Sequence, residues 1–260
     1  MFFFINYWDF VVQEWFNGRI EQEQQLFINS NYLNLNSGHM PEPYWGNPMD
    51  CSLVIANYNP GGGADRNIHT YKECISCKDS FINEVNKRGY FTVVKDFPII
   101  DSLYDNCKQP NWWWDYKGSK WWIDKVNWLQ QILSSKQKVL LSQKPPFALE
   151  FCGWHSKNWP NSACTILYNQ AGLANTINYY FINALVNSVQ YSDAKLGICI
   201  GRQFFDLFKR INPSYTPQNL KANNANNYNI YRFIISGAEI IVIWGSGWNR
   251  FPNINPQTIP

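Results

Sequence analysis

The sequence predicts an α/β fold: a single three-layer domain around a central, mainly parallel four-stranded sheet, preceded by an N-terminal helical extension. Three observations carry this prediction. Four short apolar runs, Leu53 to Asn57, Phe147 to Cys152, Leu196 to Ile200 and Glu239 to Trp244, have strand length and strand composition. Segments of helical composition lie between them, and strands alternating with helices imply a parallel sheet covered on both faces. Three of the runs end in polar or glycine-rich loops, which a parallel sheet collects along one edge, where ligands of open α/β sheets bind.

The elements follow in order. Met1 to Asp9 is apolar but lacks a basic leader and a small-residue cleavage site, and Asp9, Gln13 and Glu14 interrupt the apolar pattern. It reads as a packed helix rather than a signal peptide. Glu21 to Asn29 is helix-forming and Asn34 to Pro43 is loop, so residues 1–40 form the extension and 41–260 the α/β domain. After the first strand, Lys72 to Lys87 reads as a helix closed by Arg88-Gly89. Asp101 to Lys120 is irregular and rich in Trp, and Trp121 to Leu133 is helical. Beyond the second strand Gly172 to Val189 is a helix. The third strand leads through Gly201 into the helix Arg202 to Arg210. Asn223 to Asn229 is a polar tip before the fourth strand.

Bulk composition narrows the function classes. The chain has 260 residues, 45% hydrophobic and 16% charged, enough for one large domain with a packed core. A net charge of +3 does not announce a strongly basic nucleic-acid binder, although a local basic face stays open. Thirteen Trp supply residues that both bury large areas and stack on bases. Seven Cys is an odd number in a chain too large to need staples, so reduced thiols in a cytoplasm are expected. No apolar stretch reaches membrane-spanning length, and no membrane partner is expected. His69, Cys74, Cys77 and Cys107 contain a single Cys-x-x-Cys pair on an expected helix, which is too little for a zinc site. No metal and no cofactor are expected, and a monomer is.

The most informative stretch is Cys51 to Gly63, where the first strand breaks into Tyr58-Asn59-Pro60-Gly61-Gly62-Gly63. With Glu150-Phe151-Cys152-Gly153-Trp154-His155-Ser156 after the second strand and Gly245-Ser246-Gly247-Trp248-Asn249 after the last, the chain resembles the uracil-DNA glycosylase superfamily. The likeness is nearest to the Asn-Pro-Gly, mismatch-specific branch and covers roughly residues 40 to 255. It implies a monofunctional DNA glycosylase that flips a uracil-like or modified base out of the stack and hydrolyses its N-glycosidic bond, leaving an abasic site. The partner would be duplex or single-stranded DNA containing the target base.

By that resemblance Asn59 orients the attacking water, because an amide positions but does not act as a strong base. His155 is the candidate donor to the leaving base. Tyr58 walls or stacks on the base, Gly61 and Gly62 let backbone approach it, and Glu150 falls near the base-reading position. A carboxylate there accepts from an exocyclic amine such as cytosine N4 and disfavours uracil, which points to a cytosine-derived base of the kind phages carry and to a role in defence. Ser156, Ser246, Gly247, Asn249 and Arg250 are expected to contact DNA, and Trp248 stands where the family places its wedge. Trp244 and Gly245 stand where the family's second motif has His or Asn, so the usual electrophile is missing. The alternative is a glycosylase-fold protein that binds modified or mismatched DNA with little catalysis.

Overall fold

A computed structural model describes residues 7–8, 10–11, 14–15, 18–30, 33–35, 37, 41, 43–45, 48–58, 127–144, 146–154, 156, 158–220 and 228–245. Helices α1 (Gln22–Ile28), α2 (Ser135–Gln143), α3 (Ala163–Asn169), α4 (Leu173–Ile177), α5 (Asn183–Tyr191) and α6 (Arg202–Ile211) join strands β1 (Tyr44–Trp45), β2 (Val54–Asn57), β3 (Phe147–Glu150), β4 (Leu196–Ile200), β5 (Gln218–Asn219), β6 (Tyr228–Ile235) and β7 (Ala238–Gly245). A π-helical turn, Asn178–Ile182, runs between α4 and α5. The strands hydrogen-bond in the order β1-β3-β2-β4-β7-β6-β5. The described residues fall in two compact units, one drawn from segments 1–46, 57–105 and 148–184, the other from 47–56, 106–147 and 185–260.

The α/β class stands, but the sheet differs from the expected one. All four predicted strands are present as β2, β3, β4 and β7, and β4 pairs parallel to both β2 and β7. Three more strands, β1, β5 and β6, pair antiparallel with their neighbours, so among the described residues the sheet has seven strands and is mixed rather than four-stranded and mainly parallel. The largest omission is β6. Its tight turn into β7 is Ser236-Gly237 with both residues at positive φ, 48° and 80°, the two-residue hairpin geometry that matches strand twist. A Ser-Gly pair between apolar runs is the sequence signal for it. Helix α2 was legible in the same way: Ser134 and Gln137 form a reciprocal capping box.

In the second unit both faces of the inner strands are buried. Ile240, Val242 and Phe233 lie on one face, Ile230, Ile241 and Ile243 on the other, and none exceeds 1% exposure. Alternating side chains buried on both sides require cover on both sides, as a three-layer α/β arrangement supplies. On the first of these faces α6 packs Phe205 against Tyr231, Phe233 and Trp244 with ring centroids 4.7, 5.7 and 5.5 Å away. Among the described residues no helix is long and apolar enough to cross a membrane.

The segment that delivers β2 is pinned within this unit. Asp193 N donates to Cys51 O at 3.0 Å and Ala194 N to Ser52 O at 2.8 Å. Lys144 Nζ lies 2.9 Å from both Asp50 and Asp193 carboxylates. The two acceptors hold the Lys144 ammonium above its ordinary pKa. A raised folded-state pKa gives stability that is present below the ordinary lysine value, about 10.4, and is lost as pH rises through the raised one. Its side chain is 38% exposed, so solvent screens the cluster. Lys144→Met is expected to lower stability by about 0.5–1 kcal/mol at neutral pH and low salt. Urea unfolding should show that difference shrinking in about 1 M salt and above the lysine range. A difference indifferent to both would locate the effect in packing instead.

Candidate functional site

Parallel register between β2 and β3 builds the site. Phe147 N donates to Leu53 O, Phe151 N to Asn57 O and Cys152 N to Tyr58 O, at 2.9, 2.7 and 2.9 Å. The offset between donor and acceptor is constant along the pair, which is the parallel pattern. It sets the last residue of β2, Asn57, level with the last residue of β3, Glu150. Asn57 Nδ2 donates to Glu150 Oε1 at 3.3 Å. Both side chains are interior, 4% and 5% exposed. A buried carboxylate is costly unless it is hydrogen-bonded, and the amide proton offsets part of that cost.

The residues that follow this pair in each strand, Tyr58 and Phe151, belong to an aromatic cluster with Trp159. Tyr58 and Trp159 are half-buried, with their rings 10° from parallel and their centroids 6.1 Å apart. Phe151 meets Trp159 edge-on at 6.1 Å and Phe181 edge-on at 5.1 Å. Glu150 also lines a small cavity with Trp8, Gln24, Thr176 and Tyr180 among its other walls. It has room for about one water and none for a base.

A chain of hydrogen bonds ties the loop after β3 to the N-terminal region. Trp154, wholly buried, donates its indole N–H to Gln24 Oε1 at 2.8 Å. Gln24 Nε2 donates to the Tyr7 hydroxyl at 2.7 Å, and that hydroxyl donates to Glu21 Oε2 at 3.0 Å. The same Glu21 oxygen caps α1 by accepting from Glu23 N and Gln24 N. Tyr7 stacks on Tyr180 at 3.6 Å, and burial above all pushes its hydroxyl far above the usual phenol range. Gly153 completes the contact, because a Cβ there would lie 2.8 Å from the Trp8 ring. A side chain at position 153 would push the loop and the Trp8 ring apart.

The expected site residues are placed as follows. Tyr58, Glu150 and Ser156 are described: Tyr58 directly follows β2 and Glu150 closes β3, and it is Asn57 that the structure brings to Glu150. Ser156 is 3% exposed and its hydroxyl donates to Asn158 O at 2.7 Å, closing a local turn. Asn59, Gly61, Gly62, His155, Ser246, Gly247, Trp248, Asn249 and Arg250 lie outside the described residues, as do His69, Cys74, Cys77 and Cys107. Asn57, Trp159 and Gln24 were not singled out from sequence. Asn57 had one signal, a polar residue closing an apolar run. Trp159 and Gln24 had none, because their partners are distant in the chain. Cys152 is no nucleophile, since burial pushes its thiol up to about 12.

Removing the Gln24 amide strands the Trp154 N–H in the interior and takes a donor from Tyr7. Gln24→Leu is expected to cost about 1–3 kcal/mol in urea unfolding. A loss no larger than that of an exposed α1 control such as Gln22→Leu would show that the chain of bonds is not structural.

Compared with family models, curated proteins and solved structures, the chain matches none of them.

Proposed function

We propose that the protein is a monofunctional DNA glycosylase acting on a flipped, amine-bearing base, of which a modified cytosine is the leading example. The observation that carries this reading is the Asn57–Glu150 pair at the carboxyl ends of two parallel strands, immediately ahead of Tyr58-Asn59-Pro60-Gly61. An ionised carboxylate only accepts hydrogen bonds, so a Glu150 held by an amide donor suits a ligand that presents an N–H, as the exocyclic amine of cytosine does. Glu150 is 5% exposed beside a cavity with room for about one water, so a base flipped out of the stack would reach it only with movement of that cavity's walls. Tyr58 and Trp159, paired near the ends of the same strands, are aromatic faces on which a base could stack, an interaction worth about 1–3 kcal/mol.

Chemistry would follow from the strand ends. Breaking the N-glycosidic bond develops positive charge on the sugar and negative charge on the leaving base. Asn59, two residues beyond Asn57, would hold the attacking water, and His155, next to Trp154, would donate to the leaving base. Ser246 to Arg250 would hold the DNA strand, with Trp248 filling the gap in the stack. The Trp154–Gln24–Tyr7–Glu21 chain would then keep the His155 loop at a fixed distance from the base.

The test is incubation with a panel of DNAs carrying uracil, mismatches and modified cytosines, with released bases identified by mass spectrometry and strands heated in alkali. Release of modified cytosine, alkali-labile sites, and a single-turnover loss of about 2–3 kcal/mol in Asn59→Ala are the expected results. Glu150→Leu should reduce discrimination for the amine-bearing base by about 1–3 kcal/mol. Release of plain uracil alone would return the chain to uracil repair. Binding to modified DNA without release would leave a reader of modified bases rather than an enzyme.

A further inference from the structure

We infer that Asn57 is a specificity-determining positioning residue: by donating to Glu150 Oε1 it keeps that carboxylate an acceptor and so selects amine-bearing over carbonyl-bearing bases. The inference rests on the reading of Glu150 as the group that meets the base. Two geometric facts carry it. The 3.3 Å contact joins side chains that are 4% and 5% exposed, so water does not compete for the bond. The register of β2 on β3 sets the two residues side by side, so the contact follows from backbone geometry and not from a chance rotamer. Of the two ends of an amide, only the nitrogen can face an ionised carboxylate oxygen. Glu150 Oε1 thereby accepts from the protein, and a donor of this kind favours the carboxylate form, which accepts further hydrogen bonds from a ligand.

The consequence is a switch that a single atom reverses. In Asn57→Asp two carboxyls would stand at the same separation. Like charges that close cannot both ionise in the interior, so the pair shares one proton. The shared proton turns the pair into a donor, which suits the carbonyl at the corresponding position of uracil and repels no lone pair there. Among the described residues, the other ionisable groups on the elements lining this cavity are Tyr7, Glu21 and Glu23 from the N-terminal region, Cys152 after β3, and Tyr179 and Tyr180 in the π-helical turn. Burial holds Cys152 and Tyr180 up to about 12. All of these are identical in the wild type and the variant, so a titration step seen only in the variant belongs to the new pair.

The experiment measures single-turnover release of a modified cytosine and of uracil from otherwise identical DNAs, between about pH 5 and 9, the window in which a shared carboxyl proton is lost. Wild type and Asn57→Asp are compared, with circular dichroism to check folding. The expected result is a fall of about 10-fold or more in the cytosine-to-uracil ratio in Asn57→Asp. Uracil release by the variant should fade as pH rises, with a step the wild type lacks. A folded variant with the wild-type ratio and profile would overturn the inference while leaving the glycosylase standing. If Asn57→Asp does not fold, Asn57→Ala withdraws the side-chain donor without adding charge. The ratio must again fall, because a purely structural loss would slow both substrates alike, and an unchanged ratio overturns the inference. A wild type that releases no base from any DNA overturns the functional reading itself and this inference with it.

Discussion

The amides of Phe147, Phe151 and Cys152 meet the carbonyls of Leu53, Asn57 and Tyr58, and on that register the arrangement of the candidate site depends. Side chains alternate along a strand, so a slip of one residue would send Glu150 to the opposite face and carry Asn57 away from it. The register is held by burial. Val54, Ile55, Ala56, Phe147, Ala148 and Leu149 are wholly inaccessible, and any slip would expose some of them or bury polar neighbours in their place. Two polar residues are therefore kept in the interior by the apolar residues before them.

The ends of the two strands are stabilised from different directions. In the unit containing Lys144, one ammonium between two carboxylates and two backbone hydrogen bonds anchor the approach to β2. In the unit containing Glu150, the loop leaving β3 is tied down by a chain of neutral donors ending on the Glu21 carboxylate, and by Gly153, whose missing side chain makes room for Trp8. The first arrangement is exposed and screened by solvent, so its contribution is small. The second is buried, so each unmade bond in it carries a full desolvation cost. Position at the candidate site is thus set mainly by the buried network, and the N-terminal region belongs to the site's support.

The π-helical turn fits the same pattern. Between α4 and α5 the helix widens for Asn178–Ile182, and there Tyr180 stacks on Tyr7 while Phe181 meets Phe151. A regular helix would rotate these neighbours relative to one another. The widened turn lets Tyr180 and Phe181, adjacent in sequence, reach the N-terminal helix and the loop after β3.

The sequence by itself determined the α/β class, the bounds of β4 and nearly those of β2 and β7, and the fact that polar loops follow the strands. Those features are written in local composition: runs of Val, Ile and Leu of strand length, and glycine where a strand must stop. Cues for β6 and α2 were present as well, in Ser236-Gly237 and in the Ser134–Gln137 box, because turns and caps are also local. Only the tertiary structure decided that three antiparallel strands extend the sheet, that Asn57 faces Glu150, and that Gln24 supports Trp154. These pairs join residues far apart in the chain, and nothing in the composition around either partner specifies the other. Their contacts exist because strand register and helix packing bring them to the same place, and register is a property of the folded sheet rather than of any one segment.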